Sequence, residues 1–191
     1  MTSSLITTSD IPGGATSYIQ LTSSLQSGAT FFVSSGTVNN LNVPNTKYFV
    51  SGFQMLPILQ IQTYTTQTNT VLTSTTFQNT ALQGSFTPKT SSSKIIIAAF
   101  GDCSQNVGDS GAVTIARDGT NLAADSSGFH RTVSNNNYHT AMIVYDSPGT
   151  TSAVTYSVQI RTDGGGGSIE FPPDVGGTVA QAYMIAIEIA Q

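Results

Sequence analysis

The sequence predicts an all-β protein: an antiparallel, jelly-roll-like β-sandwich with an extended N-terminal arm, associating with copies of itself. Three observations predict it. From about residue 51 onward, short runs of β-forming residues are separated by turn signals, the pattern of sandwiches. No stretch carries an apolar stripe at helical spacing. Two runs, at 94–100 and 182–190, are apolar on both faces, so one face can pack within the sandwich while the other needs a second cover.

The elements follow in order. LPILQIQTY (56–64) is rich in β-formers, with Pro57 at its start, where a proline is tolerated. TNTVLTSTTFQNT (68–80) is Thr-dense and extended, and SKIIIAAF (93–100) is apolar on both sides. AVTIARDGTNLA (112–123) reads as strand, turn, strand, because Asp118-Gly119 supplies the positive φ of a tight hairpin. YHTAMIVYD (138–146) is a strand closed by the turn SPGT. AVTYSVQIR (153–161) alternates, with Val154, Tyr156, Val158 and Ile160 inward. DGGGGS (163–168) turns the chain into SIEF (168–171), and PPDVGG (172–177) leads to the final strand.

The charge distribution divides the chain. Ahead of residue 91 only Asp10, Lys47 and Lys89 are charged. The first 50 residues are Ser/Thr-rich, interrupted by IPGG (11–14) and NVPN (42–45), with short apolar pieces SYIQL (17–21) and TFFVS (30–34). Residues 1–50 are read as an attachment arm and 51–191 as the sandwich head; the other reading makes 1–50 the first strands of one larger domain. The opening MTSSLITTSDIPGG has neither a basic n-region nor a long apolar h-region, so no secretory signal is read.

Composition narrows function. Charged residues are 8% of the 191, against about a quarter in typical soluble domains, so solubility rests on Ser, Thr, Asn and Gln. A net charge of −4 with six basic residues gives no footprint for nucleic acid. No apolar run reaches the length of a membrane span, so no membrane insertion is expected. The single Cys103 excludes an intrachain disulfide framework.

The two-faced strands locate the expected subunit interface at Ile96, Ala98, Phe100, Met184 and Ala186, the alanines permitting close approach of copies. The competing reading buries these strands under the N-terminal arm. No catalytic, cofactor or metal site is expected. His130 and His139 flank an Asn-rich loop and lack ligand spacing. Cys103 reads as a buried inert thiol. Asp102, Asp109, Asp118 and Asp125 are scattered near turns, and Asp109 or Asp118 with Asn121 matches no calcium-loop spacing. The run 164–167 lacks the Lys-Ser/Thr of a phosphate loop and reads as a turn.

The segment ILQIQTYTTQTNTVLTSTTFQNTALQGSFTPKTSSSKIIIAAFGD resembles the β domains of tailed-bacteriophage fibre and virion surface proteins. Their recurring pattern is a Thr-rich strand, ST-x-F, then TP-x-(S/T)SSKI and an apolar run. The resemblance continues through VTIARDGTNLA and YDSPGTTSAVTYSVQIRTDGG to the last strand, covering 58–191 and not the arm. It implies a homotrimeric head on the virion exterior, similar in shape to C1q and tumour-necrosis-factor heads. Two functions are then expected. One is a virion structural protein, a capsid-surface decoration or short head or tail fibre, holding other virion proteins through residues 1–50. The alternative is a receptor- or glycan-binding tail-fibre head contacting a host surface glycan through Tyr138, His139 and Asn136. An enzyme is not expected.

Overall fold

The structure, a computed structural model, describes residues 48–50, 53–55, 58–106, 110–123, 127–132, 137–164 and 166–190. Nearly all of the expected arm lies outside them. The strands in chain order are β1 (Tyr48–Val50), β2 (Phe53–Met55), β3 (Ile58–Thr66), β4 (Thr70–Leu72), β5 (Gln78–Phe86), β6 (Lys94–Asn106), β7 (Gly111–Arg117) and β8 (Thr120–Asn121). They continue with β9 (His130–Thr132), β10 (Asn137–Asp146), β11 (Val154–Thr162), β12 (Ser168–Phe171), β13 (Asp174–Val175), β14 (Thr178–Val179) and β15 (Ala182–Ile189).

Every pairing is antiparallel. One sheet is six-stranded: β15 and β12 lie end to end along one edge of β6, with β3 and β4 beyond them and β10 on the other side of β6. The other is five-stranded, in the order β5-β11-β7, with β8 and β9 both on the far edge of β7. When end-to-end strands are merged into single tracks, the first track pairs with the last, the second with the seventh, the third with the sixth and the fourth with the fifth. A long antiparallel ribbon rolled up in this way is a jelly roll.

The core lies between the sheets. Ile95, Ile97, Ala99 and Cys103 of β6 meet Val113 and Ile115 of β7, Val154, Tyr156, Val158 and Ile160 of β11, and Leu82 and Phe86 of β5. Each large apolar side chain buried here contributes about 1.5–3 kcal/mol relative to exposure. The inward set expected for β11 is the observed one.

Local chemistry explains the turns. Asp118 (φ 49°) and Gly119 (φ 80°) take the left-handed conformation of the tight hairpin, and Asp118 Oδ1 accepts the Thr155 N–H at 2.7 Å. The extended run expected over 68–80 is broken. The chain passes from β4 in one sheet to β5 in the other, through a turn in which Ser74 Oγ accepts the Thr76 N–H at 3.1 Å. The latter half of β5, ALQGSF, gives no strand signal because Gly84 weakens it. Gly84 is there because the Tyr64 ring lies on it: a Cβ at position 84 would stand 2.0 Å from that ring.

One expectation is corrected. Met184 and Ala186 do not lie on the outer surface; both are fully buried in the subunit's own core. Register decides it. Met184 stands opposite Ala99 and Ala186 opposite Ile97, and directly opposed residues share a face. Since Ala99 and Ile97 point inward, so do Met184 and Ala186. The sequence misled because both faces of β15 are apolar and its one acid, Glu188, points inward as well.

Candidate functional site

The outer side of the six-stranded sheet is built by strict alternation in four strands. One row runs across the sheet through Ile61, Ile187, Ile96 and Tyr145. The next runs through Thr63, Ile185, Ala98 and Ile143. The third runs through Thr65, Tyr183, Phe100 and Ala141. Only the two threonines are polar, and none of these side chains is charged. The face is open: Ile61 is 56% exposed, Phe100 41%, Ile143 60%, Tyr145 69% and Tyr183 44%. At roughly 200 Å² for a large side chain, these five alone expose about 500 Å². That is as much apolar patch as a typical monomer shows at all, and such patches mark interaction sites.

Polar groups frame the rows. Beyond Phe100 and Ala141, Asp102 and His139 stand opposite each other, with His139 Nδ1 hydrogen-bonded to Asp102 Oδ1. On the same side of the sheet, Glu170 accepts from Asn69 Nδ2 and Asn106 Nδ2, each at 3.1 Å. At the opposite end Lys94 pairs with Ile189. Two further acids of the sheet lie on its inner side: Asp146, paired with Arg117, and Glu188, which is fully buried. Burial by itself would raise its pKa. Hydrogen bonds from Ser93, from Gln60 Nε2 at 2.6 Å and from the Lys89 N–H at 2.7 Å and Thr90 N–H at 3.3 Å outweigh burial and leave the carboxyl below its ordinary value. Glu188 thereby ties the loop TPKTSSSK to the last strand.

Of the expected interface residues, Ile96, Ala98 and Phe100 lie on this outer face. Reasoning from sequence missed Ile61, Ala141, Ile143 and Tyr145. The signal was present in YHTAMIVYD, whose alternate positions 141, 143 and 145 are apolar like those at 142 and 144.

The expected receptor contacts do not converge. Tyr138 and His139 are neighbours on β10 and project to opposite sides of the sheet. Tyr138 turns toward His130, with ring centroids 6.0 Å apart, while His139 bonds Asp102 on the outer side. Asn136 lies outside the described residues, as do Asp109 and Asp125.

The remaining reactive groups are engaged. Burial, aided by the charge of Glu170, pushes the fully buried Cys103 thiol up to about 12, which leaves it protonated and unreactive. Asp118 Oδ1 accepts from the Thr155 N–H of β11, and Asn121 Oδ1 accepts from the Thr114 hydroxyl and from the Ala123 N–H at 2.8 Å. Asp163 is bound by Ser110, Arg131 and Arg161, and the Ser110 hydrogen bond chiefly lowers its pKa. Gly164 (φ 137°) and Gly166 (φ 88°) make the glycine run a turn. Among the described residues, no group of three or more His, Cys, Asp or Glu comes together as a metal site.

Comparison with protein-family models and with curated proteins finds no match to this chain in either.

Proposed function

We propose that this chain is a bacteriophage virion structural protein: a capsid-surface decoration or short head or tail fibre, homotrimeric, anchored to other virion proteins through residues 1–50. The observation that carries the self-association is the uncharged outer face of β3, β15, β6 and β10. A second copy of the chain is the occupant that fits. The three rows hold no charge for a partner to neutralise. Their exposed area, with the half-buried neighbours added, approaches the ~800 Å² per partner of a standard interface. Among the described residues β10 pairs only with β6, which leaves its outer edge open for a neighbouring copy to cover. The virion exterior and the number three rest on the sequence resemblance over 58–191.

The protein acts by binding and assembly, without turnover. A buried thiol and acids held by hydrogen bonds and ion pairs suit that reading. The receptor-binding reading has less support, because Tyr138 and His139 face apart.

The test is sedimentation of the full chain with analysis of purified particles. The proposal expects a folded trimer and the chain in the particle; a folded monomer at every concentration overturns it. A chain lacking residues 1–50 is expected to keep its trimer and fail to join particles.

A further inference from the structure

The self-association face carries one titratable cross-strand pair, and its place suits a control on assembly. His139 and Asp102 form the row directly beyond Phe100 and Ala141, on the same outer side of the sheet. The His139 side chain is 95% exposed, so its neighbours within the subunit leave it free to meet another copy. The charged groups facing it there, among the described residues, are Asp102 on β6 and Glu170 on β12. Lys94 lies at the far end of β6, and the remaining titratable groups of the face are the phenols of Tyr145 and Tyr183. On the inner side, His130 packs on Tyr138, and Arg131 and Arg161 are bound to Asp163. This end of the face therefore bears two carboxylates per copy, with a single imidazole to offset them.

Bringing copies together gathers those carboxylates into a drier, lower-dielectric setting, where like charges repel more strongly than in water. A neutral His139 leaves both charges in place. A protonated His139 pairs with Asp102 and removes one. We infer that the assembly of this protein is pH-gated: the subunit contact takes up a proton at His139 and tightens on mild acidification. This inference rests on the self-association reading. The sign follows from linkage. The assembled state binds more protons than the separated subunits, so association strengthens as pH falls, by up to about tenfold per pH unit for each proton taken up.

The experiment is sedimentation equilibrium of the full chain at about pH 8 and about pH 5.5, on either side of the ordinary histidine range. Wild type is expected to dissociate at a concentration about tenfold lower at the acid pH. His139→Gln, which keeps a hydrogen bond to Asp102 and cannot charge, is expected to show the weaker association at both pH values. Asp102→Asn, which removes the charge to be offset, is expected to associate tightly at both. Equal dissociation concentrations for the wild type, or a pH dependence that survives in His139→Gln, overturn the gating and leave the assembly reading standing. A wild-type monomer at every pH and concentration overturns both.

Discussion

The two sheets turn unlike surfaces outward. On the five-stranded sheet, hydroxyl and amide side chains bond one another: Asn79 Oδ1 accepts from Ser157 Oγ at 2.9 Å and from Gln159 Nε2 at 2.8 Å, and Thr114 donates to Asn121. Gln83 and Ser85 continue this polar surface along β5. On the six-stranded sheet the corresponding rows are Ile, Ala, Phe and Tyr with two threonines at one edge, and much of their apolar area is exposed. A protein with so few charges treats its two sheets differently: on one, uncharged polar groups bond one another, with Thr114, Ser157 and Gln159 buried, and on the other apolar rows stand exposed.

That contrast breaks most sharply when one substitution is placed on opposite faces. Ala186→Arg buries an unpaired guanidinium in the core and is expected to cost more than about 3 kcal/mol, enough to lose the fold. Ala98→Arg, set two strand tracks from the edge on the outer face, is expected to leave the thermal midpoint of the subunit nearly unchanged. It should raise the dissociation concentration more than about thirtyfold, the effect of losing a contact hot spot. Circular dichroism melts and sedimentation on both variants separate the outcomes. Equal behaviour of the two would erase the distinction between the faces.

Glu188→Gln tests the polar group placed on the apolar side of β15. It removes the charge that Gln60, Ser93 and two backbone N–H groups converge on, with an expected loss of about 1.5–3 kcal/mol read by denaturant unfolding. The wild type should show the same dependence through pH. Because the folded carboxyl lies below its unfolded value of ~4.3, its contribution is full above that value and fades as pH falls through the folded one. The variant should lack that part of the acid loss.

How much of this was legible in the sequence depended on whether a residue had one reading or two. Asp118-Gly119 announced its hairpin because the backbone there needs positive φ. The inward set of β11 was legible because its alternate positions Ser157 and Gln159 are polar. In β15 both faces are apolar, so period two gave two equal answers, and only the pairing with Ile97 and Ala99 chose between them. The outer face of β10 was missed for the same reason. The strand at 81–86 went unread because the purpose of Gly84, room for Tyr64, lies across the sandwich and far away in sequence. The Asp102–His139 pair is likewise formed by register, between an acid read near a turn and a histidine read near the start of a separate strand.

The smallest effect is expected on the polar sheet. Gln83→Arg should change stability by less than about 0.5 kcal/mol and leave the sedimentation coefficient where it was. A large loss of association from this variant would show that contact spreads beyond the apolar rows.

The position of β15 also sets an order in time. It lies between β3 and β6, and in chain order it follows every other described strand. Until residues 182–189 leave the ribosome, β3 has no neighbour on that flank and β6 lacks half of its ladder there, so the roll cannot close before they do. The nascent protein must carry the isoleucine-rich β3 and β6 without their shared neighbour until then, and close the sheet in a long-range and therefore slow step. Such a chain is most exposed to premature sticking in the interval before that strand arrives.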